Sequence, residues 1–180
     1  MNDKLLDFPT SPDYSKADIR RVQEMLLEMA KTVCGILDRH HIPYFIAFGT
    51  LLGAVRHGGF IPWDDDFDIF LFDDTYDEAM GYLEKEVPSH LIVHGLKTDP
   101  IYFPAWNSVK NTRTETFDGG LYNPDNNLLK YHCIGVDMYR IKKIGSHQVR
   151  SYKIREAMVF FRKKHEFGLM NSLRAKQLTD

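Results

Sequence analysis

IAFGTLLGAVRHGGFIPWDDDFDIFLF, residues 46–72, is the stretch whose reading decides the fold. Its last six residues, Phe67–Phe72, are apolar except for Asp68, the composition of a buried strand. Side chains two apart on a strand share a face, so Asp66 and Asp68 point one way while Phe67 and Ile69 point the other. Adjacent carboxylates without a partner repel and raise each other's pKa. Charge set among Trp63, Phe67, Ile69 and Phe70 is also costly to bury. A bland acidic turn would leave its carboxylates in water. This one carries two into a strand, which points to a divalent cation, and an all-oxygen donor set suits Mg2+ or Mn2+ rather than zinc. An EF-hand is excluded by position: counting from Asp64, Ile69 stands where Gly is required and Thr75 where Glu is required. Asp64 and Asp65 are read as shaping the turn beneath Trp63.

Upstream, Tyr44–Phe48 reads as a buried strand, and TLLGAVRH as a short helix with Thr50 as its N-cap. Gly49-Thr50 then lies where a strand ends and a helix begins. Free backbone N–H groups and the positive helix end suit a phosphate there. Gly53 permits close packing of the short helix. Arg56 can fork onto phosphate oxygens, and His57 is either a phosphate donor or a plain helix-end residue.

Further out, Ser15 and Asp18 sit as in a helix N-cap. Ile19, Val22, Leu26, Met29, Val33, Ile36 and Leu37 follow at steps of three and four, one face of an amphipathic helix ending near His40-His41. DDTYDEAMGYLEKEV reads as a second helix, with Asp73 and Asp74 beside its N-terminal dipole. LIVHGLK, FPAWNSVKN and IGVDMYRIKKI read as strands, and 117–130 as a loop marked by Gly119-Gly120 and Asn123-Pro124. This order predicts an α+β domain: a mixed β-sheet packed with α-helices. Residues 1–14 are an expected N-terminal arm and 15–180 one domain, ending in a basic helix over about 147–177.

Composition narrows the classes. Of 180 residues, 43% are hydrophobic and 27% charged, enough apolar side chains for one core. A net charge of −2 makes general nucleic-acid binding an unexpected role. Two cysteines, Cys34 and Cys133, lie far apart and read as reduced, buried thiols. No secretory signal and no spanning stretch is visible, so the expected location is cytoplasmic, with peripheral contact at the inner face of the membrane left open. Ten Lys or Arg against two Glu over 142–176 favour a solvated basic face over an anionic-membrane contact, because the apolar stripe is irregular.

A third carboxylate, Asp137, sits between Val136 and Met138 on the last strand-like stretch. If that strand neighbours Phe67–Phe72, the three carboxylates converge, enough to hold two metals and clamp a phosphoryl displacement. Lys110 and Arg113 are candidate contacts to a diphosphate, each more simply read as surface charge. Phe103 and Trp106 are most simply packing residues.

Together, GTLLGAVRHGGFIPWDDDFDI and the later Asp137 resemble the polymerase-beta-type nucleotidyltransferase superfamily, and more narrowly the LicD family of bacterial phosphocholine transferases, related to fukutin and fukutin-related protein. The resemblance covers about Leu26 to Ile144. Phe67 stands where that family's strand has Ile. Members continue past this length, so the chain reads as a truncated or short one. The resemblance implies a nucleotidyltransferase fold and transfer of a phospho-alcohol, phosphocholine-like, from a CDP-linked donor such as CDP-choline. The acceptor would be a sugar hydroxyl of a cell-surface glycan or glycolipid, as in lipopolysaccharide biosynthesis. Asp66, Asp68 and Asp137 would be the metal ligands and catalytic carboxylates, with Asp137 as base, and Gly49 and Thr50 the phosphate turn. A choline substrate would call for an aromatic box, for which Tyr102, Trp106 and Tyr122 are candidates. The alternatives are a nucleotide-sugar glycosyltransferase with an Asp-x-Asp metal site, and a non-catalytic binding module of the same fold.

Overall fold

In the computed structural model the described residues are 16–100, 102, 104–116, 129–145, 149 and 153–154. The elements run α1 (Lys16–Arg39), β1 (Tyr44–Ile46), α2 (Phe48–His57), β2 (Phe67–Phe72), α3 (Tyr76–Glu86), β3 (Leu91–His94), β4 (Asn107–Asn111) and β5 (Gly135–Ile141). The strands form one sheet in the order β1-β2-β5-β4-β3. The β2–β5 pair is parallel and the other three pairs are antiparallel, giving the expected α+β domain on a mixed sheet.

Strand alternation divides the labour between the two faces. Ile69, Leu71, Val109, Val136 and Met138 are wholly buried on one face, against Met29, Val33, Ile36 and Leu37 of α1 and Ala79, Met80 and Leu83 of α3. Each such aliphatic side chain contributes ~1.5–3 kcal/mol by leaving water. The opposite face carries Asp68 and Phe70 of β2, Asp137 and Tyr139 of β5, and Ser108 and Lys110 of β4. Tyr76 ties the core side together: its hydroxyl donates to Met138 O at 3.0 Å and accepts from Asn107 N–H at 3.0 Å.

Several element ends differ from the sequence expectation. The first strand stops at Ile46 rather than Phe48, because Ala47 turns its N–H onto Asp68 O at 3.0 Å and offers its carbonyl to Leu51 N–H at 3.0 Å. The helix therefore opens at Phe48. Its N-cap is Ala47, and Thr50 lies inside the first turn. Likewise α3 starts at Tyr76, not at the Asp73-Asp74 pair. Asp73 is tied to β5 instead: its N–H donates to Ile141 O at 2.8 Å and its carboxylate takes Arg140 at 3.2 Å. The strands at the other edge are shorter than their apolar runs, since Gly95 O accepts from Thr98 N–H and Asp99 N–H and turns the chain. Cys133 is buried as expected, whereas Cys34 is half-buried.

The chain divides into a unit Met1–Ile141, which holds all these elements, and a unit Lys142–Asp180. Within the second unit, Val149, Lys153 and Ile154 are helical. The rest of the basic helix expected over 147–177 lies outside the described residues, as do the 1–14 arm, Phe103, Tyr122 and 117–128.

The turn after α2 is held by close packing. Gly58 caps the helix with φ 65°, and its N–H bonds to Gly53 O. A Cβ on Gly53 would lie 2.5 Å from Gly59 O and 2.9 Å from Ile61 N, both backbone atoms. Helix propensity alone would favour Ala at position 53 by ~1 kcal/mol. The clash should outweigh it. Gly53→Ala is expected to lower unfolding free energy by roughly 1–3 kcal/mol in urea titration, whereas a more stable variant would show that this packing is not tight.

Candidate active site

Four pieces of chain meet on the sheet face opposite the one that packs against α1 and α3. Registry puts Asp68 directly beside Asp137 on the parallel pair, and Asp137 directly beside Ser108 on the next strand. Ser108, itself 2% exposed, donates its hydroxyl to Asp137 Oδ1. Asp68 is 4% exposed, deeper than a solvated carboxylate would lie.

Asp68 is held at both ends of its own peptide. Its carbonyl accepts from Ala47 N–H, and its N–H donates to Thr50 Oγ1 at 2.9 Å. The expected phosphate turn and the carboxylate strand are thus bonded to each other. Thr50's hydroxyl oxygen serves the strand and still has its own hydrogen to donate. The amides of Phe48, Gly49 and Thr50 begin a helix and have no acceptor within it.

The aspartates before β2 are not equivalent. Asp64 lies against Gly49: a Cβ there would fall 2.6 Å from Asp64 Oδ2. That oxygen is buried and, among the described residues, has no hydrogen-bond partner. Gln23, a polar residue buried in the apolar stripe of α1, fixes the turn by donating to Ile61 O at 2.9 Å and Asp64 O at 3.0 Å. Asp65 is exposed.

Electrostatics show what the cluster lacks. Burial, then Asp64, Asp65 and Asp137, push Asp66 up to about 6, and its side-chain bond with Asp64 adds to this. Burial, then Asp66, Asp137 and Asp64, push Asp68 up to about 7. Burial and Asp65 also raise Asp64, against a lowering by Asp66. Among the described residues no cation contributes to these shifts. The donor set is hard and anionic, and an orphaned carboxylate oxygen lies at its edge. These features fit a divalent ion that keeps water and borrows phosphate oxygens. Among the described residues no three His, Cys, Asp or Glu side chains form a ready-made ion cage, so the substrate would have to supply some of the ligands.

The remaining expected residues spread outward. Lys110 shares Asp137's face, its stem crossing Gly135, where a Cβ would lie 2.5 Å from Lys110 Cδ. It lines a cavity of about 140 Å3 with Asp137, Ser108, Trp106, Tyr102 and His94. Arg113 is exposed in the turn after β4 and borders a neighbouring hollow instead. Arg56 and His57 stand exposed in the last turn of α2, with Arg56 seven residues past Gly49 and so ~10 Å along the axis. They are not part of the carboxylate cluster.

Sequence reading assigned no role to Ser108, Gln23 or His94. Ser108 and Gln23 carry no motif, and only the sheet registry and the fold of the turn reveal them. Wholly buried His94 pairs through Nε2 with Asp99 Oδ2 at 3.0 Å, and the same oxygen accepts Lys130 N–H at 2.7 Å. Burial lowers the His94 pKa against the opposing pull of Asp99.

Known proteins resemble the chain over much of its length. A family model described as LicD/FKTN/FKRP, nucleotidyltransferase domain, matches residues 41–169. The lipopolysaccharide cholinephosphotransferase LicD of Haemophilus influenzae is 36% identical over 75 residues, 42% of this chain and 28% of that protein. An uncharacterized protein of Rickettsia prowazekii is 30% identical over 133 residues, 63% of this chain and 48% of its own length. The human ribitol 5-phosphate transferase FKRP is 45% identical over 47 residues, 26% of this chain and 10% of that protein. In each case the match spans less than half of the relative.

An acid with a higher pKa folded than unfolded binds more protons when folded, so stability falls as pH rises between the two values. For Asp68 that window runs from about 4 to about 7. Metal-free protein should therefore lose stability across it, and Asp68→Asn should recover on the order of 1–3 kcal/mol at pH 7. Mg2+ should raise the melting temperature of the native chain at pH 7 and leave the variant unmoved. Equal responses of both to Mg2+ would contradict the assignment.

Proposed function

The chain belongs to the LicD/FKTN/FKRP nucleotidyltransferase family, and on that premise we propose that it transfers a phospho-alcohol from a CDP-linked donor to a glycan or glycolipid hydroxyl. The observation that carries the reading is the Asp68–Asp137 pair in register beside the first turn of α2. Family membership favours it over a nucleotide-sugar glycosyltransferase, and the three intact carboxylates favour it over a non-catalytic module.

Asp66, Asp68 and Asp137 would hold Mg2+ or Mn2+. Bound there, the cation neutralises phosphate charge and polarises the phosphoryl oxygens. The amides of Gly49 and Thr50, with the Thr50 hydroxyl, bind the phosphate of the departing CMP. Lys110 reaches the same diphosphate from the Asp137 side. Arg113, and Arg56 with His57 at the far end of α2, meet only the outlying parts of the substrates. The acceptor hydroxyl gives its proton to the Asp137 carboxylate, whose Oδ1 is held by Ser108. Its oxygen bonds to the distal phosphorus as the bond to CMP breaks, and CMP leaves with the electron pair. On this reading the reaction runs in the cytoplasm, where nucleotide donors are made. No helix among the described residues is long and apolar enough to cross a membrane.

The test is CMP release from a panel of CDP-alcohols, with Mg2+ and with glycan acceptors present or absent. Turnover should require the divalent ion, and Asp137→Asn should reduce it by ~100-fold or more, as loss of a general base does. Absence of Mg2+-dependent binding of every cytidine nucleotide would overturn the reading.

A further inference from the structure

The pleat that places Asp68 beside Asp137 repeats two residues later with aromatic rings. Phe70 and Tyr139 are also partners in register, on the same sheet face as the carboxylates. Phe48, the first residue of α2, meets both edge to face, with centroids 4.9 Å from Phe70 and 5.1 Å from Tyr139 at interplanar angles of 72° and 81°. Trp106 extends the row from the other side, 4.9 Å from Tyr139 and tilted by 30°. Four rings therefore interlock as an aromatic cluster, running from the amide end of α2 to the cavity beside Asp137.

Phe48 is the unusual member. It is 58% exposed although it is a large apolar ring. Its φ of 43° lies in the left-handed region, which a bulky side chain adopts at a cost. Core packing does not account for a ring held out at such a backbone angle. A planar partner that covers it in the bound state does.

We propose that the exposed ring of Phe48, buttressed edge-on by Phe70 and Tyr139 with Trp106 behind them, is a stacking platform for the nucleobase of the nucleotide donor. The proposal rests on the reading above, that the site takes a nucleotide-linked phosphate. Its direction follows from chain order. Phe48 directly precedes Gly49, so the group carried by a phosphate on the Gly49 and Thr50 amides lands on the Phe48 end of the cluster. The transferred alcohol is left with the other end, where Trp106 and Lys110 line the cavity. Every base has a π-face, so the platform supplies affinity while leaving base identity to other contacts.

Calorimetric titration with CMP and with ribose 5-phosphate, both with Mg2+, separates the base from the sugar-phosphate. The native chain should bind CMP more tightly. Phe48→Ala should weaken CMP about ten-fold and leave ribose 5-phosphate within about two-fold. Phe48→Leu, which keeps apolar bulk without the ring face, should stay weak for CMP, and it decides the matter if the alanine variant does not fold. Equal affinity of the native chain for both ligands, an unchanged CMP affinity in both variants, or full recovery in the leucine variant overturns the platform alone. Weakening of phosphocholine rather than CMP also overturns it, since the cluster would then serve the alcohol. Failure of the native chain to bind either phosphate ligand overturns the platform together with the reading on which it rests.

Discussion

Asp68 and Asp137 face each other across a parallel strand pair with no cation among the described groups that shift Asp68's pKa, and the rest of the candidate site is arranged around that repulsion. A fold that places two carboxylates in register, one of them almost wholly buried, gives up stability near neutral pH. Asp66 and Asp64, on the approach to the strand, worsen the balance. On the proposed function a divalent ion held there would offset this repulsion.

The scaffold keeps the carboxylates from moving apart. Parallel registry fixes Asp68 against Asp137, while Ala47 and Thr50 grip the Asp68 peptide from either side. That grip also ties the helix end to the strand: Thr50, in the first turn of α2, accepts the Asp68 N–H. Gln23 reaches out of the core to hold the turn carrying Asp64, and Gly49 and Gly53 leave room for that turn to close. None of these supports carries charge to the site. They trade ordinary hydrogen bonds and small side chains for placement of the charged ones.

Much of this was legible in the sequence because it is local and periodic. The apolar stripe of α1 and the alternation in FDIFLF each predict one buried face, and the buried residues Leu26, Met29, Val33, Ile36, Leu37, Ile69 and Leu71 lie on those faces. The pairing of Asp68 with Asp137 could only be supposed, since registry between strands 69 residues apart leaves no local trace. Element ends were less legible where a long-range bond overrides local preference, as when Asp73 is drawn to Arg140 instead of opening α3. Thr50 is the sharpest case. Its type and position suit an N-cap, but the N–H it accepts belongs to Asp68, across the site. Phe48, Phe70 and Tyr139 fall in stretches read only as strands, because period-two alternation shows that a face exists but not which residues of other strands share it.

The central claim, that carboxylates and helix end form one cation-dependent site, is tested most directly by backbone NMR with Mn2+ and CMP. Paramagnetic broadening should appear first and together at the amides of Gly49, Thr50, Asp66, Asp68 and Asp137, and excess Mg2+ should reverse it. Broadening of Asp66 and Asp68 without Gly49 and Thr50, or broadening centred elsewhere in the chain, would contradict the account.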